Sequence, residues 1–317
     1  MIFGFILVFA GCMNKKEVVE EKATYQPVAE IESRQPVGLY YDNGTIVWYE
    51  VRPRTHFLHI VDAQTGETLG SMARLGQGPE EFMNAVAGWA INERCLPVFD
   101  INDTTRNAYL DLDSFLLKKD YYIPAEKIDK NKVFSVRKMN NSEKAFKANY
   151  RGKESEFGTY PIPDIPLLHT GGFGYNPNNG ALVYYLSDFP YLAMYQNVGG
   201  EFKNKWINSE ITPYQKNSDN KVVFDYSMRG IKRIAMLKDY IVGIQQTVAR
   251  HEEKGAAKGL DVSKREQTVF VYNYDGELVR ILDYGVPLLL LAGDVNSNTL
   301  YMIVADPEFR LVKSSLS

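Results

Sequence analysis

The residue types that bind metals or perform nucleophilic catalysis are few in this chain. Its four histidines are His56, His59, His169 and His251. His56 and His59 lie three positions apart, a spacing that places side chains on opposite faces of a strand, so we do not expect them to share a metal ion. The sequence contains neither a Gly-x-Ser-x-Gly elbow nor a His-Glu-x-x-His motif. It therefore gives no support for a serine hydrolase or a zinc protease.

Asp100, Asn102 and Thr104 have the spacing with which a calcium-binding loop begins. Thr105 stands where such a loop requires glycine, and its twelfth position is Asp111 instead of glutamate, so we exclude an EF-hand site. A calcium ion held in a central channel by oxygen atoms from distant segments stays open as an alternative, because such a site has no local spacing.

The segment Leu75–Phe82 contains a Gly-Gln-Gly sequence that suggests a phosphate-binding loop. No Lys-Ser or Lys-Thr pair follows it, and no strand–helix–strand pattern surrounds it, so phosphate binding is not predicted. We interpret the glycines of Gly76–Gly78 as positions with positive φ and Pro79 as a rigid exit. Glu80 and Glu81 are expected to begin a short helix or to face a ligand.

The composition favours a large β-rich core and argues against a nucleic-acid partner. Aromatic residues make up 13% and hydrophobic residues 45% of the 317 positions, and these side chains suit half-buried pleated surfaces. The formal net charge of -3 and the pI of about 5.9 provide no basic field for phosphate binding. With only Cys12 and Cys95, the chain can form neither a disulfide framework nor a multi-cysteine zinc site.

Short units of strand, turn and strand recur along the chain, about 45–50 residues apart. Six units are recognised: Thr45–Met72, Leu96–Tyr121, Val133–Lys153, Leu182–Trp206, Val269–Leu282 and Leu300–Val312. Within the second unit, Phe115–Tyr121 is predicted as a strand. Such sheets bury their faces by packing against one another around an axis. The sequence thus predicts an all-β fold, a six-bladed β-propeller of four-stranded antiparallel blades, as a single domain over residues 24–317.

The two ends of this domain are expected to complement each other. The last unit lacks an outermost strand, whereas Thr24–Ser33 is predicted as a strand without a sheet. We expect this N-terminal strand to complete the last blade and close the ring. Two insertions, Asn208–Phe224 and Thr247–Glu266, interrupt the period, and the second is predicted as a solvated loop. The proline-punctuated Arg151–Leu168 is predicted as a connector between blades.

Trp48, Trp89 and Trp206, together with the aromatic run Tyr184–Tyr195, admit two interpretations. Exposed rings would offer stacking platforms for sugars, whereas buried rings would fill the space between blades. We favour packing, because the large apolar area of an aromatic ring is most valuable there. Cys95 lies beside a strand and is expected to behave as a small buried hydrophobe.

The N-terminal residues have the pattern of a secretory signal followed by a tether. Ile2–Ala10 is apolar apart from one glycine and is too short to span a bilayer. The four residues Phe9–Cys12, FAGC, resemble the lipobox of bacterial lipoproteins, which implies lipid attachment at Cys12. Residues 1–12 are therefore predicted as a lipoprotein-type signal peptide, and the polar, charged residues 13–23 as a flexible tether.

The connector Leu75–Phe82, LGQGPEEF, resembles the GxGPGEF-like signature of TolB-like six-bladed propeller proteins, which are common among lipoproteins of Bacteroidetes. Asp100, Asn102, Arg106 and Leu110–Asp111 resemble the strand, Asp, Asn, Arg, strand pattern that recurs in that family. The resemblance covers most of the chain after residue 33. It implies a six-bladed propeller and a lipid-anchored location in the cell envelope, and it implies no established enzyme activity.

Two functions from different classes follow from these features. The first is an envelope lipoprotein, anchored in the outer membrane and facing the periplasm or the cell surface, that binds a protein, peptide or glycan without catalysis. The alternative is a metal-dependent hydrolase or lyase whose carboxylate and amide ligands converge from several blades in a central channel. The lack of catalytic motifs favours the first. We predict no cofactor and no nucleic-acid partner, and the sequence identifies no ligand-binding residues.

Overall fold

Short apolar runs, interrupted by turns at glycine, asparagine and aspartate, build almost the whole domain from β-strands. The computed structural model describes residues 18–129, 131, 133–139, 142–161, 171–187, 189–209, 214–216, 218, 222–224, 230–245 and 266–316. The first strands of this part are β1 (Val19–Lys22) and β2 (Gln26–Glu30). Both join sheets that the C-terminal part of the chain forms.

Blades 1 to 3 follow in sequence order. Blade 1 contains β3 (Pro36–Asp42), β4 (Thr45–Glu50), β5 (His56–Asp62) and β6 (Thr68–Arg74). Blade 2 contains β7 (Ala85–Ala87), β8 (Cys95–Asp100), β9 (Ala108–Asp111) and β10 (Tyr122–Pro124), with the helix α1 (Leu112–Leu116) between β9 and β10. Blade 3 contains three described strands, β11 (Phe134–Lys138), β12 (Phe146–Tyr150) and β13 (Lys153–Phe157).

Blades 4 to 6 complete the series. Blade 4 contains β14 (Gly172–Asn176), β15 (Ala181–Leu186), β16 (Tyr191–Val198) and β17 (Glu201–Ser209). A hairpin of β18 (Tyr214–Lys216) and β19 (Val222–Phe224) follows it. Blade 5 contains β20 (Ile231–Met236), β21 (Tyr240–Gln245), β22 (Thr268–Asn273) and β23 (Leu278–Asp283). Blade 6 contains β24 (Leu288–Gly293), β25 (Thr299–Ala305) and β26 (Phe309–Ser315).

The blades form a ring that the N-terminal chain closes. The first strands of blades 4, 5, 6 and 1 contact one another in that order, which places them around the centre of the ring. β2 pairs antiparallel with β26, with Gln26 opposite Lys313 and Glu30 opposite Arg310. This pairing supplies the outermost strand of blade 6. The prediction of a six-bladed β-propeller closed by its N-terminal strand is therefore confirmed.

The chain before β2 differs from the predicted tether. β1 lies within residues 13–23 and pairs in parallel with β23, so that it adds a fifth strand to the outer edge of blade 5. An edge strand offers unpaired backbone groups, which explains why a polar segment without strand periodicity is ordered there. The predicted signal peptide with Cys12 lies outside the described residues. No helix in the described part of the chain is long and apolar enough to cross a membrane.

Two other local predictions are wrong. Phe115–Tyr121 is not a strand: α1 occupies its beginning, because Asp111 Oδ1 accepts a 2.8 Å hydrogen bond from Ser114 N and caps a helical turn. The predicted connector Arg151–Leu168 contains β13, which pairs with β12 after a tight turn. The six predicted units also miss β3, β7, β10, β14, β20, β21 and β24 entirely. The insertion Asn208–Phe224 contains the β18–β19 hairpin, and residues 246–265 lie outside the described residues.

Apolar contacts between the faces of neighbouring blades hold the ring together. Between blades 1 and 2, the side chains with no solvent exposure include Leu58, Ile60, Leu96 and Leu110. Clusters of the same kind fill the interfaces between blades 3 and 4, 4 and 5, 5 and 6, and 6 and 1. Full burial of one such side chain contributes about 1.5–3 kcal/mol, so each interface is a major source of stability.

A glycine pair tests how far closure by β2 stabilises the ring. Gly66, in the β5–β6 turn, has a φ of 75°, and a Cβ atom there would overlap the carbonyl oxygen of Val28 in β2. Gly44 has a φ of 81°, but a Cβ atom added to Gly44 would have no neighbouring atom within 4 Å. Both alanine substitutions strain the backbone, whereas only Gly66→Ala displaces β2.

We expect Gly66→Ala to lower the Tm of the full chain by several degrees more than Gly44→Ala in calorimetric scans. For a domain of this size, 1 kcal/mol corresponds to about 2–4 °C. Equal Tm values for the two variants would show that the contact between the β5–β6 turn and β2 does not stabilise the ring.

Candidate functional site

The connector Leu75–Phe82 is bound by an arginine of blade 2. Arg106 Nη1 donates to the carbonyl oxygens of Gly78 at 3.2 Å and Glu81 at 3.0 Å, and its Nη2 donates to that of Gln77 at 3.0 Å. A guanidinium satisfies several carbonyl groups at once because its donors are fixed in one plane. The connector therefore has a structural role, in which the guanidinium of Arg106 satisfies three of its backbone carbonyl groups.

The glycines of the connector are needed for close approach instead of positive φ. Neither Gly76 nor Gly78 has a positive φ, so that prediction is wrong, and Glu80 has the left-handed value of 60°. A Cβ atom on Gly76 would overlap the carboxylate of Glu81, whose Oε2 accepts a 2.8 Å hydrogen bond from Gly78 N. Glu81 thus turns into the connector, and no helix begins there.

The acidic residues of blade 2 bind backbone groups. Asp100 is buried, and its two carboxylate oxygens accept hydrogen bonds from Met83 N at 2.7 Å and from Asn102 N at 2.9 Å. Asp103 caps the 3-10 turn that follows, and Asp111 caps α1. The residues that resemble the recurring family pattern therefore shape the β8–β9 loop and its exit.

Two tyrosines and an arginine occupy the inside of the ring. The Tyr40 hydroxyl in β3 donates to Gly88 O at 2.8 Å, and Arg233 of β20 is hydrogen-bonded to Tyr185 of β15. Burial raises the pKa of both phenols, and the nearby guanidinium partly opposes that shift. These central groups are a cation and neutral hydroxyls. Within the described residues, no group of three or more His, Cys, Asp or Glu side chains is placed to hold a metal ion.

A chain of hydrogen bonds joins the outer strands of blade 1 to the segment after β2. His59 Nε2 lies 3.1 Å from Glu50 Oε1, and its Nδ1 lies 3.1 Å from Ser71 Oγ. The buried Glu50 also accepts a 2.7 Å hydrogen bond from Ser33 Oγ, and Trp48 stacks on the imidazole at 3.9 Å between ring centroids. Burial lowers the pKa of His59, although the carboxylate beside it opposes this shift.

The remaining residues that were singled out by type have ordinary surroundings. His56 bonds to a neighbouring threonine hydroxyl and takes no part in the His59 cluster. Cys95 is half-buried instead of buried, with its Sγ 3.9 Å from a carboxylate oxygen of Asp111. His169 and His251 lie outside the described residues.

The aromatic candidates divide between packing and a surface role. Trp48 packs within blade 1, and Trp206 Nε1 donates to Tyr274 O at 3.0 Å. The run Tyr184–Tyr195 supplies several rings to the cluster between blades 3 and 4. These agree with the favoured interpretation. Trp89 also packs, with its ring centroid 5.5 Å from that of Phe134 and 6.0 Å from that of Phe173. It is only half-buried, however, and it also lines a cleft.

This cleft lies between blades 2 and 3, at the interface where we find no apolar cluster among the described residues. Its volume is about 380 Å³, within the range of about 300–1,000 Å³ that is typical of small-molecule sites. The wall from blade 2 carries Trp89, Phe99 and Tyr109. Phe99 is 42% exposed, which is unusual for an aromatic side chain on a strand between two blades.

The opposite wall, from blade 3, carries polar and charged side chains. These belong to Ser135 and Arg137 of β11, Lys147 and Asn149 of β12, and Glu154 of β13, and the apolar residues Phe134, Val136 and Ala148 also line this wall. Lys147 Nζ and Glu154 Oε2 form an ion pair at 2.6 Å. Arg137 is exposed and has no ion pair within the described part of the chain. An aromatic wall thus faces a wall with hydroxyl, amide, cationic and carboxylate groups.

The sequence contains a signal for this cleft that our prediction did not use. β4 and β15, which lie between two apolar neighbours, are buried at all six positions. β11 instead alternates buried Phe134 and Val136 with exposed Ser135 and Arg137. In a ring of blades, such alternation indicates that one face of the sheet has no apolar partner.

Ring and cleft together define a six-bladed β-propeller with a ligand-sized opening between two blades. No protein-family model and no curated protein sequence matches the chain. Among solved structures, it is similar to regucalcin from Agrobacterium tumefaciens, a calcium-binding protein, with 10% identity and a TM-score of 0.52 over 94% of this chain and 95% of that one. It is also similar to a DUF4221 family member from Bacteroides vulgatus, with 12% identity and a TM-score of 0.50 over 94% and 97%. At these identities the similarity shows the fold alone.

Removal of Arg106 should release the connector. Arg106→Ala leaves three carbonyl groups without their donors, and a hydrogen bond to a charged group is worth about 1.5–3 kcal/mol. Two of these bonds share one nitrogen and the third is exposed, so water replaces part of the interaction and we expect a net loss of about 2–3 kcal/mol in urea unfolding. Arg74→Ala is the matched control, because that side chain is 69% exposed and its ion pair with Glu81 is 3.5 Å long. The control should lose less than about 1 kcal/mol. Similar losses for both variants would contradict the structural role of Arg106.

The lowered pKa of His59 predicts a pH dependence of stability. The unfolded chain binds a proton at His59 near its ordinary pKa of about 6.5, whereas the folded protein binds it only at lower pH, so the free energy of unfolding falls as pH decreases through that window. His59→Gln should make the Tm less dependent on pH between about 7 and 5. His56→Gln, at a more exposed site, should change the slope less. An unchanged slope in His59→Gln would refute the assignment.

Proposed function

We propose that this protein is a lipid-anchored lipoprotein of the cell envelope whose propeller binds a ligand in the cleft between blades 2 and 3, without catalysing a reaction. The observation that carries the proposal is that the aromatic wall of blade 2 faces polar and charged side chains of blade 3 across the cleft. Five interfaces between blades are filled by apolar side chains, whereas this one exposes Phe99 opposite Arg137. An exposed aromatic group beside convergent polar groups is typical of a binding site.

The membrane anchor is proposed from the lipobox-like residues Phe9–Cys12. Lipid attachment at Cys12 would place the propeller at the outer membrane, facing the periplasm or the cell surface. The connector Leu75–Phe82 supports kinship with TolB-like propeller lipoproteins of Bacteroidetes, because it resembles their signature and the chain has the propeller fold that the signature implies.

The calcium binding stated for the regucalcin neighbour is not proposed for this chain. Arg233 lies near Tyr40 and Tyr185 inside the ring, and a guanidinium repels a divalent cation. No specific observation favours the metal-dependent hydrolase or lyase that the sequence left open.

The anchor is tested by the two cysteines of the chain. Cys12→Ser removes the lipid-bearing sulfur, so the full chain should move from the membrane pellet to the soluble fraction and lose incorporation of labelled palmitate in its producing host. Cys95→Ser is the matched control and should stay in the pellet. Retention of Cys12→Ser in alkali-washed membranes would refute the anchor and leave the cleft hypothesis unaffected.

Ligand binding is tested by filling the cleft. Ser135 is exposed on β11, and Ser135→Trp would place an indole between the walls, whereas Ser209→Trp places one on an exposed position of blade 4. Immobilised full-length protein should retain a component of an envelope extract that Ser209→Trp also retains and Ser135→Trp does not. If no component distinguishes these variants, binding in this cleft is refuted.

A further inference from the structure

We infer that the ligand of the cleft between blades 2 and 3 is a saccharide. The inference rests on the proposed binding function and adds the chemical class of the ligand. It depends on three properties of the cleft: an accessible aromatic wall, a polar wall of mixed hydrogen-bonding character, and a backbone carbonyl group at the edge of β11 that is already hydrogen-bonded within the protein.

The aromatic wall suits the apolar face of a sugar ring. A pyranose presents C–H groups on its faces and hydroxyl groups around its edge, so it packs against an aromatic face while its hydroxyls point elsewhere. Phe99 and Tyr109 come from adjacent strands of blade 2, and Trp89 follows β7. Burial raises the pKa of Tyr109, so its hydroxyl is neutral and can both donate and accept a hydrogen bond.

The polar wall suits hydroxyl groups better than a simple anion. Each sugar hydroxyl donates one hydrogen bond and accepts others, so it needs donors and acceptors together. Arg137 supplies donors and the Ser135 hydroxyl supplies both a donor and an acceptor. Lys147 and Glu154 are paired with each other, and Asn149 Oδ1 accepts a hydrogen bond from Gly152 N, so Asn149 offers its Nδ2 as a donor. A fully ionised phosphate or sulfate group only accepts hydrogen bonds, so it would use the donors of this wall alone, whereas a sugar hydroxyl also donates to an acceptor such as the Ser135 oxygen.

An extended peptide is a less suitable occupant. Peptides that add a strand to a sheet bind through free backbone groups at its edge. The Phe134 carbonyl at the edge of β11 already accepts a 3.0 Å hydrogen bond from Asn92 Nδ2. Blade 3 instead presents the side chains of Ser135, Arg137 and Lys147 to the cleft.

The inference is tested with oligosaccharides released by partial hydrolysis from the envelope polysaccharide of the producing host, after treatment with proteinase K. Calorimetric titration into the detergent-solubilised full chain should give saturable binding, which periodate oxidation of the oligosaccharides abolishes. Phe99→Ser and Arg137→Ala should each weaken binding about tenfold or more, since one removes a stacking surface and the other a donor. Leu117→Ser and Arg54→Ala are matched controls, at exposed positions outside the cleft, and should bind normally.

The outcomes separate this inference from the proposed function. Phe99 and Arg137 are both exposed, so their variants should keep the unfolding temperature of the native chain. Absence of saturable oligosaccharide binding below about 1 mM, or binding that both variants retain, overturns the saccharide assignment. If Ser135→Trp loses a component that proteinase K destroys, the cleft binds a peptide, and only the saccharide inference fails. If Ser135→Trp loses no component at all, the proposed binding function fails with it.

Discussion

Burial of the apolar faces of the blades is the constraint on which this structure depends. A blade such as β3–β6 has two apolar faces, and neither is satisfied until a neighbouring blade covers it. The clusters on the two sides of blade 1 contain Leu58 and Leu96 on one side and Ile46 and Ile303 on the other, all without solvent exposure. Stability thus arises between blades, which requires that the ring be closed. β2 meets this requirement by joining the first part of the chain to β26.

Most polar groups that first suggest chemistry serve this framework. Arg106 satisfies the carbonyl groups of a connector, Asp100 binds two backbone amides, and Glu50 links His59 to the segment that follows β2. Each binds a segment that lacks the regular ladder of strand hydrogen bonds: the chain between blades 1 and 2, the β8–β9 loop or the residues after β2. Buried backbone groups at such places need side-chain partners. A charged residue in this fold is therefore informative about function only where it binds no such segment, as Arg137 does.

The repeat pattern made the architecture predictable, and the exceptions have physical causes. β5 lies inside the first predicted unit, Thr45–Met72, because its apolar run lies between clear turns. β3 escaped prediction because Pro36 and Gly38 interrupt its pattern, and α1 replaced a predicted strand because Asp111 caps it. The cleft could not be predicted from single residues. Its walls belong to segments that are distant in sequence, and the only local sign was the alternation in β11.

The unequal interfaces of the ring bear on its motion. Local opening in proteins follows the lines of least buried apolar contact. In the described part of the ring, that line runs between blades 2 and 3, far from the junction sealed by β2. A ligand that touches both Phe99 and Arg137 would join the two blades across this line. Its binding free energy would then oppose the opening of the whole ring, so a ligand in this one cleft would make the entire propeller more rigid.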